Sequence, residues 1–229
     1  MNAGLIEVIP TCVPRSAEEL ANYARTISAF SSAIHIDIVD GLFAPLHTWP
    51  YTEHGVFGGF DLSGVTGVTA EIHLMVEEPL DIGTRFASAG AHRVIGHVEA
   101  FEDEDHAHSA LRAWRHSGAE VGLGVLFDTP LEVLEHHLLT LDVVQMMTIP
   151  TIGRQGIPYD ESAPSRVGEL HARYPELLLS VDGGVSEKNI GELAKAGARR
   201  FCAGSAIAKA SDPKAAYEKL KGLAEEVLL

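Results

Sequence analysis

The sequence predicts an α/β chain folded as a single (β/α)8 TIM barrel spanning residues 1–229. Three observations carry this expectation: eight short β-rich runs, helical patterns between most of them, and no glycine-rich dinucleotide turn after the first run. Strand–helix alternation implies parallel pairing through right-handed crossovers. Eight such units suit a closed barrel of about 250 residues, and this chain has 229. An open doubly wound sheet would carry a Gly-rich turn after its first strand. Ile9-Pro10-Thr11-Cys12-Val13 is nothing like one.

The β-rich runs fall at residues 6–10, 34–39, 68–76, 93–99, 120–126, 142–149, 177–181 and 199–203. Helical patterns between them include residues 17–30, 79–89, 103–117, 187–196 and 213–227. Pro79 and Pro213 suit a first helical turn, and Ser186 followed by Glu187 and Asn189 resembles a capped start. Gly90, Gly118 and Gly197 fall where helices should end. Residues 44–59, with His47, Trp49, Tyr51, His54 and several glycines, read as a long loop over the second strand. No linker or composition break divides the chain.

Apolar residues make up 46% and charged residues 21%, ordinary globular proportions. A net charge of −15 argues against nucleic acid or an anionic membrane surface as partner. A small anionic substrate stays open, because a local cation or helix N-terminus reverses the field. No apolar run approaches the roughly 18 residues of a membrane span, and no signal pattern opens the chain. Cys12 and Cys202 lack metal-type spacing, so a reducing cytoplasm is the expected setting.

Four side chains on three strand-like segments stand out. His35 and Asp37 lie in Ile34-His35-Ile36-Asp37-Ile38-Val39-Asp40, His73 in Ala70-Glu71-Ile72-His73-Leu74-Met75-Val76, and Asp182 in Leu179-Ser180-Val181-Asp182-Gly183-Gly184. Residues two apart on a strand face the same way, so His35 and Asp37 project together. Charge is rarely placed in such apolar surroundings unless paired or bound to metal. Two imidazoles and two carboxylates suit zinc or another first-row divalent cation, and two carboxylates at one metal could also move protons. Barrel active sites form at the carboxyl ends of strands, where Asp37, His73 and Asp182 fall.

At these residues the chain resembles the ribulose-phosphate 3-epimerase family. The matching segments are His35-Ile36-Asp37-Ile38-Val39-Asp40-Gly41 with Pro45, His73-Leu74-Met75-Val76 with Pro79, Val181-Asp182-Gly183-Gly184-Val185 with Asn189-Ile190, and Ala203-Gly204-Ser205-Ala206-Ile207 with Asp212-Pro213. His97-Val98-Glu99-Ala100 and Met147-Thr148 fall in order between them. The resemblance implies a barrel of the ribulose-phosphate-binding type and a metal-dependent isomerase that inverts C3 of a phosphorylated ketose through an enediolate. It implies one divalent metal ion (zinc, iron, manganese or cobalt) on His35, Asp37, His73 and Asp182, with Asp37 and Asp182 as acid and base. Contacts to the phosphorylated sugar are expected from Thr11, His73, Gly153, Arg154, Gly183, Gly184, Gly204 and Ser205. By the same analogy the protein is expected to be a homo-oligomer.

Departures from the family bear on the substrate. After Met147-Thr148 the family usually continues Val-Asn/Glu-Pro-Gly-Phe-Gly-Gly-Gln. Here residues 149–156 read Ile-Pro-Thr-Ile-Gly-Arg-Gln-Gly, one residue shorter up to the glutamine. Arg154 could replace lost amides with a direct phosphate contact. Val39 stands where the family often has Met, Thr11 where it has Ser, and Leu126-Phe127 where Asn- or Lys-Pro is usual. The pattern suits a divergent branch acting on ribulose 5-phosphate or a related ketose phosphate. Two alternatives stay open: an aldolase- or decarboxylase-type enzyme on the same barrel, and a non-catalytic phospho-sugar binding protein.

His97 and Glu99 share the i,i+2 spacing and read either as a pair orienting a ligand or as a buried, satisfied histidine. Asp40 reads as a brace for the Gly41 turn. Met75 and Met147 read as an apolar floor or as plain core. His106, His108, His116, His136, His137 and His171 are expected to be solvated, and the acidic residues 102–105 a solvated helix start. Cys12 and Cys202 belong to the first and last strands, which adjoin on closure, and read as small buried thiols.

Overall fold

The structure is a computed structural model and describes residues 5–153 and 157–228. In chain order the strands are β1 (Glu7–Cys12), β2 (Ala33–Val39), β3 (Tyr51–Glu53), β4 (Val56–Phe57), β5 (Thr69–Met75), β6 (Arg93–His97), β7 (Glu120–Val125), β8 (Val143–Met147), β9 (Leu179–Asp182) and β10 (Arg200–Ala203). Eight of them close a parallel barrel in the order β1-β10-β9-β8-β7-β6-β5-β2. Each of the eight predicted runs overlaps one of these strands. The remaining two, β3 and β4, form an antiparallel hairpin inside the predicted 44–59 loop.

The helices are α1 (Ala17–Ile27), α2 (Pro79–Ser88), α3 (Glu104–His116), α4 (Ala163–Arg173), α5 (Ile190–Lys195), α6 (Ser205–Ala208) and α7 (Pro213–Glu225). Local chemistry sets their starts. Ser16 caps α1 by accepting from the Glu19 amide, Asp103 caps α3 through His106, and Asp212 caps α7 through Ala215. The expected start at Ser186 gives way to a turn. Asn189 accepts from the Ser186 amide and donates to the Gly184 carbonyl within this turn, and α5 begins at Ile190. Two crossovers carry no α-helix among the described residues. The β3–β4 hairpin follows β2, and two 3-10 turns, Leu131–Leu134 and Leu138–Thr140, join β7 to β8.

Strand alternation separates two environments. Ile34, Ile36, Ile38, Ile72 and Leu74 point outward into the main core with Leu20, Ala24, Ile27 and Phe86 of the helix layer. Each fully buried isoleucine, leucine or phenylalanine among them contributes about 1.5–3 kcal/mol. The intervening residues face the barrel axis. There this barrel departs from the usual branched apolar filling, with Glu71, Arg93, Arg200, His35, Gln145, Ser180, His73 and His97 all buried. A small separate apolar cluster of Val39, Ala44, Met75, Met147, Ile149 and Ile152 lies at the carboxyl-end mouth.

A candidate metal centre at the barrel mouth

Parallel register brings the four singled-out side chains together. Asp37 pairs with His73 across β2–β5, while Cys202 pairs with Asp182 and Thr11 with His35. His73 Nδ1 lies 3.0 Å from Asp37 Oδ1 and 3.5 Å from Asp182 Oδ2. His35 Nε2 lies 3.4 Å from Asp37 Oδ1 and 4.0 Å from Asp182 Oδ2. One ligand atom from each of the four falls within 4.8 Å of all the others. Both imidazoles are fully buried, whereas Asp37 and Asp182 keep 8% exposure each, so the carboxylates face the mouth.

The donor set fits a cation. His97 Nδ1 sits 3.3 Å from the Glu99 carboxylate, which can only accept when ionised. A proton on that nitrogen leaves His97 Nε2 as acceptor for His73 Nε2–H, 2.9 Å away. His73 Nδ1 then presents a lone pair to two carboxylates. His35 Nε2 is buried, faces the same carboxylates and has no hydrogen-bond partner. Four acceptors converging on one point need protons or a metal ion between them.

In the cation-free protein, protons take that role. Burial and the Asp37 charge push the Asp182 carboxyl up to about 6. Burial also works against charge on Asp37, but the neighbouring His35 and His73 imidazoles outweigh it and hold its pKa below the ordinary value. Burial disfavours the charged form of His35 too, yet its neighbours hold its pKa well above normal. Among these neighbours Cys202 is itself raised by burial and is a neutral thiol near pH 7. Asp37 and Glu71 therefore carry the effect.

A pocket above the four side chains is lined by Thr11, Met75, Met147, Ile149, Gly153, Gly183, Gly184, Gly204 and Ser205, together with both aspartates. Thr11 Oγ1 is buried there without a partner. Gly183 has φ +115°, a conformation L side chains rarely adopt, and a Cβ there would meet Ile149 Cγ1 at 2.7 Å. The pocket thus gathers every substrate residue expected from sequence except His73, which lies in the cluster beneath, and Arg154, which lies outside the described residues. Thr148 locks the loop after β9 by donating to the Asp182 and Gly183 carbonyls.

Other expectations resolve individually. Asp40 accepts from the amides of Leu42, Phe43 and Glu77, bracing the turn as expected. Glu99 lies on a 3-10 turn rather than on β6, yet still reaches His97 and accepts from the Leu126 amide. Met75 and Met147 form part of the mouth cluster. His137 is buried rather than solvated, packed edge-on against His108 at 4.6 Å. Cys12 and Cys202 are free, buried thiols on adjoining strands. Sequence reading missed Glu71, whose Oε1 lies 2.7 Å from His35 Nδ1. The signal was present, because Glu71 stands two before His73 and so shares its face.

Fold and site define an enzyme of the (β/α)8 barrel class with a buried His/Asp cluster, compatible with metal binding, at its carboxyl-end mouth. The chain belongs to the ribulose-phosphate 3-epimerase family, whose model matches residues 8–208, and it is an isomerase of the epimerase type. It is 31% identical to ribulose-phosphate 3-epimerase of Bacillus subtilis over 95% of this chain and 99% of that protein. It is 32% identical to the Escherichia coli K12 enzyme over 86% of each. Solved structures with the same fold include KGPDC from Streptococcus mutans. That structure has a TM-score of 0.65 at 14% identity and covers 97% of this chain and 99% of that one. Another is 3-hexulose-6-phosphate synthase from Salmonella typhimurium, with a TM-score of 0.66 at 14% identity and coverage of 97% and 100%. No helix among the described residues is long and apolar enough to cross a membrane.

Proposed function

We propose that this protein inverts C3 of a phosphorylated ketose, ribulose 5-phosphate or a close relative, through an enediolate. The observation that carries the reading is the convergence of Asp37 and Asp182 at the mouth, each within 3.5 Å of His73 Nδ1, with burial raising Asp182 to about 6 and the imidazoles lowering Asp37 in the cation-free protein. Inversion needs a base on one face of the planar intermediate and an acid on the other. Asp37, stabilised as carboxylate by two imidazoles, suits the base. Asp182, raised by burial, suits the acid. His35 and His73 with both aspartates would hold one divalent cation, zinc, iron, manganese or cobalt. When bound, the cation supplies Lewis-acid charge against the negative charge developing on the substrate oxygens.

The remaining residues bind and exclude. The apolar cluster with Met75 and Met147 shields the planar intermediate from water. Thr11 offers a hydroxyl to the sugar. The backbone at Gly183-Gly184 and Gly204-Ser205 offers N–H groups to the phosphate at the face where barrels commonly hold one. Two free buried cysteines accord with a reducing, cytoplasmic setting. Turnover in D2O tests the mechanism: solvent deuterium is expected at C3 of the product, and an active enzyme that leaves C3 unlabelled rejects it.

A further inference from the structure

Beneath the metal-binding cluster, a belt of charged side chains runs around the barrel interior. Glu71 is 3% exposed and its two oxygens do different work. Oε1 faces His35 Nδ1 at 2.7 Å, while Oε2 accepts from Arg93 at 2.6 Å and from Arg200 at 2.5 Å. Each guanidinium is anchored outward, Arg93 to Glu120 and Arg200 to Glu7. Strand register builds the belt directly, since Glu7 pairs with Arg200, His35 with Glu71, Glu71 with Arg93, and Arg93 with Glu120.

We propose that Glu71, clamped by Arg93 and Arg200, is a positioning residue that fixes the His35 proton on Nδ1 and so aims the Nε2 lone pair at the metal-binding cluster. The inference rests on the metal-centre reading above and deepens it. Two guanidiniums on one oxygen keep the carboxylate ionised, and an ionised carboxylate only accepts. The hydrogen His35 offers it must therefore sit on Nδ1, so the neutral ring, the form that can bind a cation, carries its lone pair on Nε2. That is the nitrogen lying without a partner beside Asp37 and Asp182. Carboxylate–histidine–metal arrangements of this kind set both tautomer and basicity of the ligand. His35, Glu71 and Cys202 also come close enough to suggest a second ion. The two guanidiniums already supply positive charge there, so a cation would meet repulsion rather than a vacancy in charge.

The test is metal affinity of the full chain, measured by chelator competition with Zn2+ as probe. In Glu71→Gln, the amide oxygen is drawn to the two arginines and its NH2 turns to His35 Nδ1. The tautomer reverses and Zn2+ binding is expected to weaken about 10- to 100-fold. Glu71→Asp keeps the charge for both arginines, and hence the fold, but withdraws the carboxylate by one methylene. A weakening of about tenfold is expected there. Glu120→Gln loosens Arg93 without touching His35, so it should lower the unfolding midpoint and leave Zn2+ affinity unchanged. Wild-type affinity in Glu71→Asp, or equal affinity loss in Glu120→Gln and Glu71→Asp, overturns the positioning role alone. A wild-type protein that binds no Zn2+ overturns the metal-centre reading and this inference with it.

Discussion

His73 and His97 meet through their Nε2 atoms at 2.9 Å, fully buried, so one ring must donate and the other accept. The arrangement makes His97 a structural partner of a cluster it does not itself enter. Replacing His97 with Leu strands the His73 N–H in the barrel core. Such a buried unsatisfied donor costs about 1–3 kcal/mol, and loss of an orienting partner about 10- to 100-fold in metal affinity. Urea unfolding and chelator competition measure the two effects separately. An unchanged Zn2+ affinity would cut His97 out of the site.

Asp182→Asn is nearly isosteric and keeps the side chain's bulk at the mouth. Removing one acid/base group is expected to lower turnover by about 10²- to 10⁴-fold, while far-ultraviolet circular dichroism and the β9–β10 pairing stay as in wild type. A variant with near-normal turnover excludes Asp182 from proton transfer.

The raised pKa of Asp182 has a defined sign in the cation-free protein. Its carboxyl rises from the ordinary 3.8 to about 6 on folding. The folded state therefore binds more protons between those values, and stability falls as pH climbs through that window. The contribution is complete below about pH 4 and gone above about pH 6 to 7, on the order of 3 kcal/mol in all. Chelator-treated wild type should lose stability relative to Asp182→Asn as pH rises from 4 to 7. Parallel urea midpoints for the two proteins across that range would contradict it.

Metal uptake should be pH-dependent in the opposite direction. A cation arriving at the cluster must displace the proton on Asp182 and any proton on His35, both raised in the cation-free state. Apparent Zn2+ affinity is expected to rise between pH 5 and 7, with proton release visible by calorimetry in buffers of different ionisation enthalpy. Binding without proton release would contradict the assignment.

Gly183→Ala should damage the pocket floor. Its backbone conformation (φ +115°) disfavours a Cβ, and the new atom would lie 2.7 Å from Ile149 Cγ1. A stability loss of more than about 1 kcal/mol is expected, along with a raised KM for the phosphorylated substrate. Thermal unfolding and steady-state kinetics report on each; a wild-type KM would place phosphate elsewhere.

The barrel was legible because its strands are near-continuous apolar runs bounded by turn residues, and His35, Asp37, His73 and Asp182 stood out as the charges breaking that pattern. The starts expected at residues 17, 79 and 213 coincide with those of α1, α2 and α7, and the structure adds the caps Ser16, Asp103 and Asp212, which sequence reading did not single out. At Ser186 the expected start is a single turn, closed by the Ile190 amide on the Ser186 carbonyl and by Asn189 accepting from the Ser186 amide, and the continuous helix follows from Ile190. The belt around Glu71 was harder to see. Arg93 and Arg200 open strands far apart in the chain, and only closure of the ring brings both guanidiniums onto one oxygen.

The order of the cluster's residues along the chain has a consequence for biosynthesis. His35, Asp37 and His73 leave the ribosome early, but Asp182 waits for β9, and the ring is sealed only when β10 docks between β9 and β1. A nascent chain exposed as far as α4 holds three of the four candidate ligands on an open sheet. A cation that needs all four side chains can therefore be held stably only after translation of the last barrel strand.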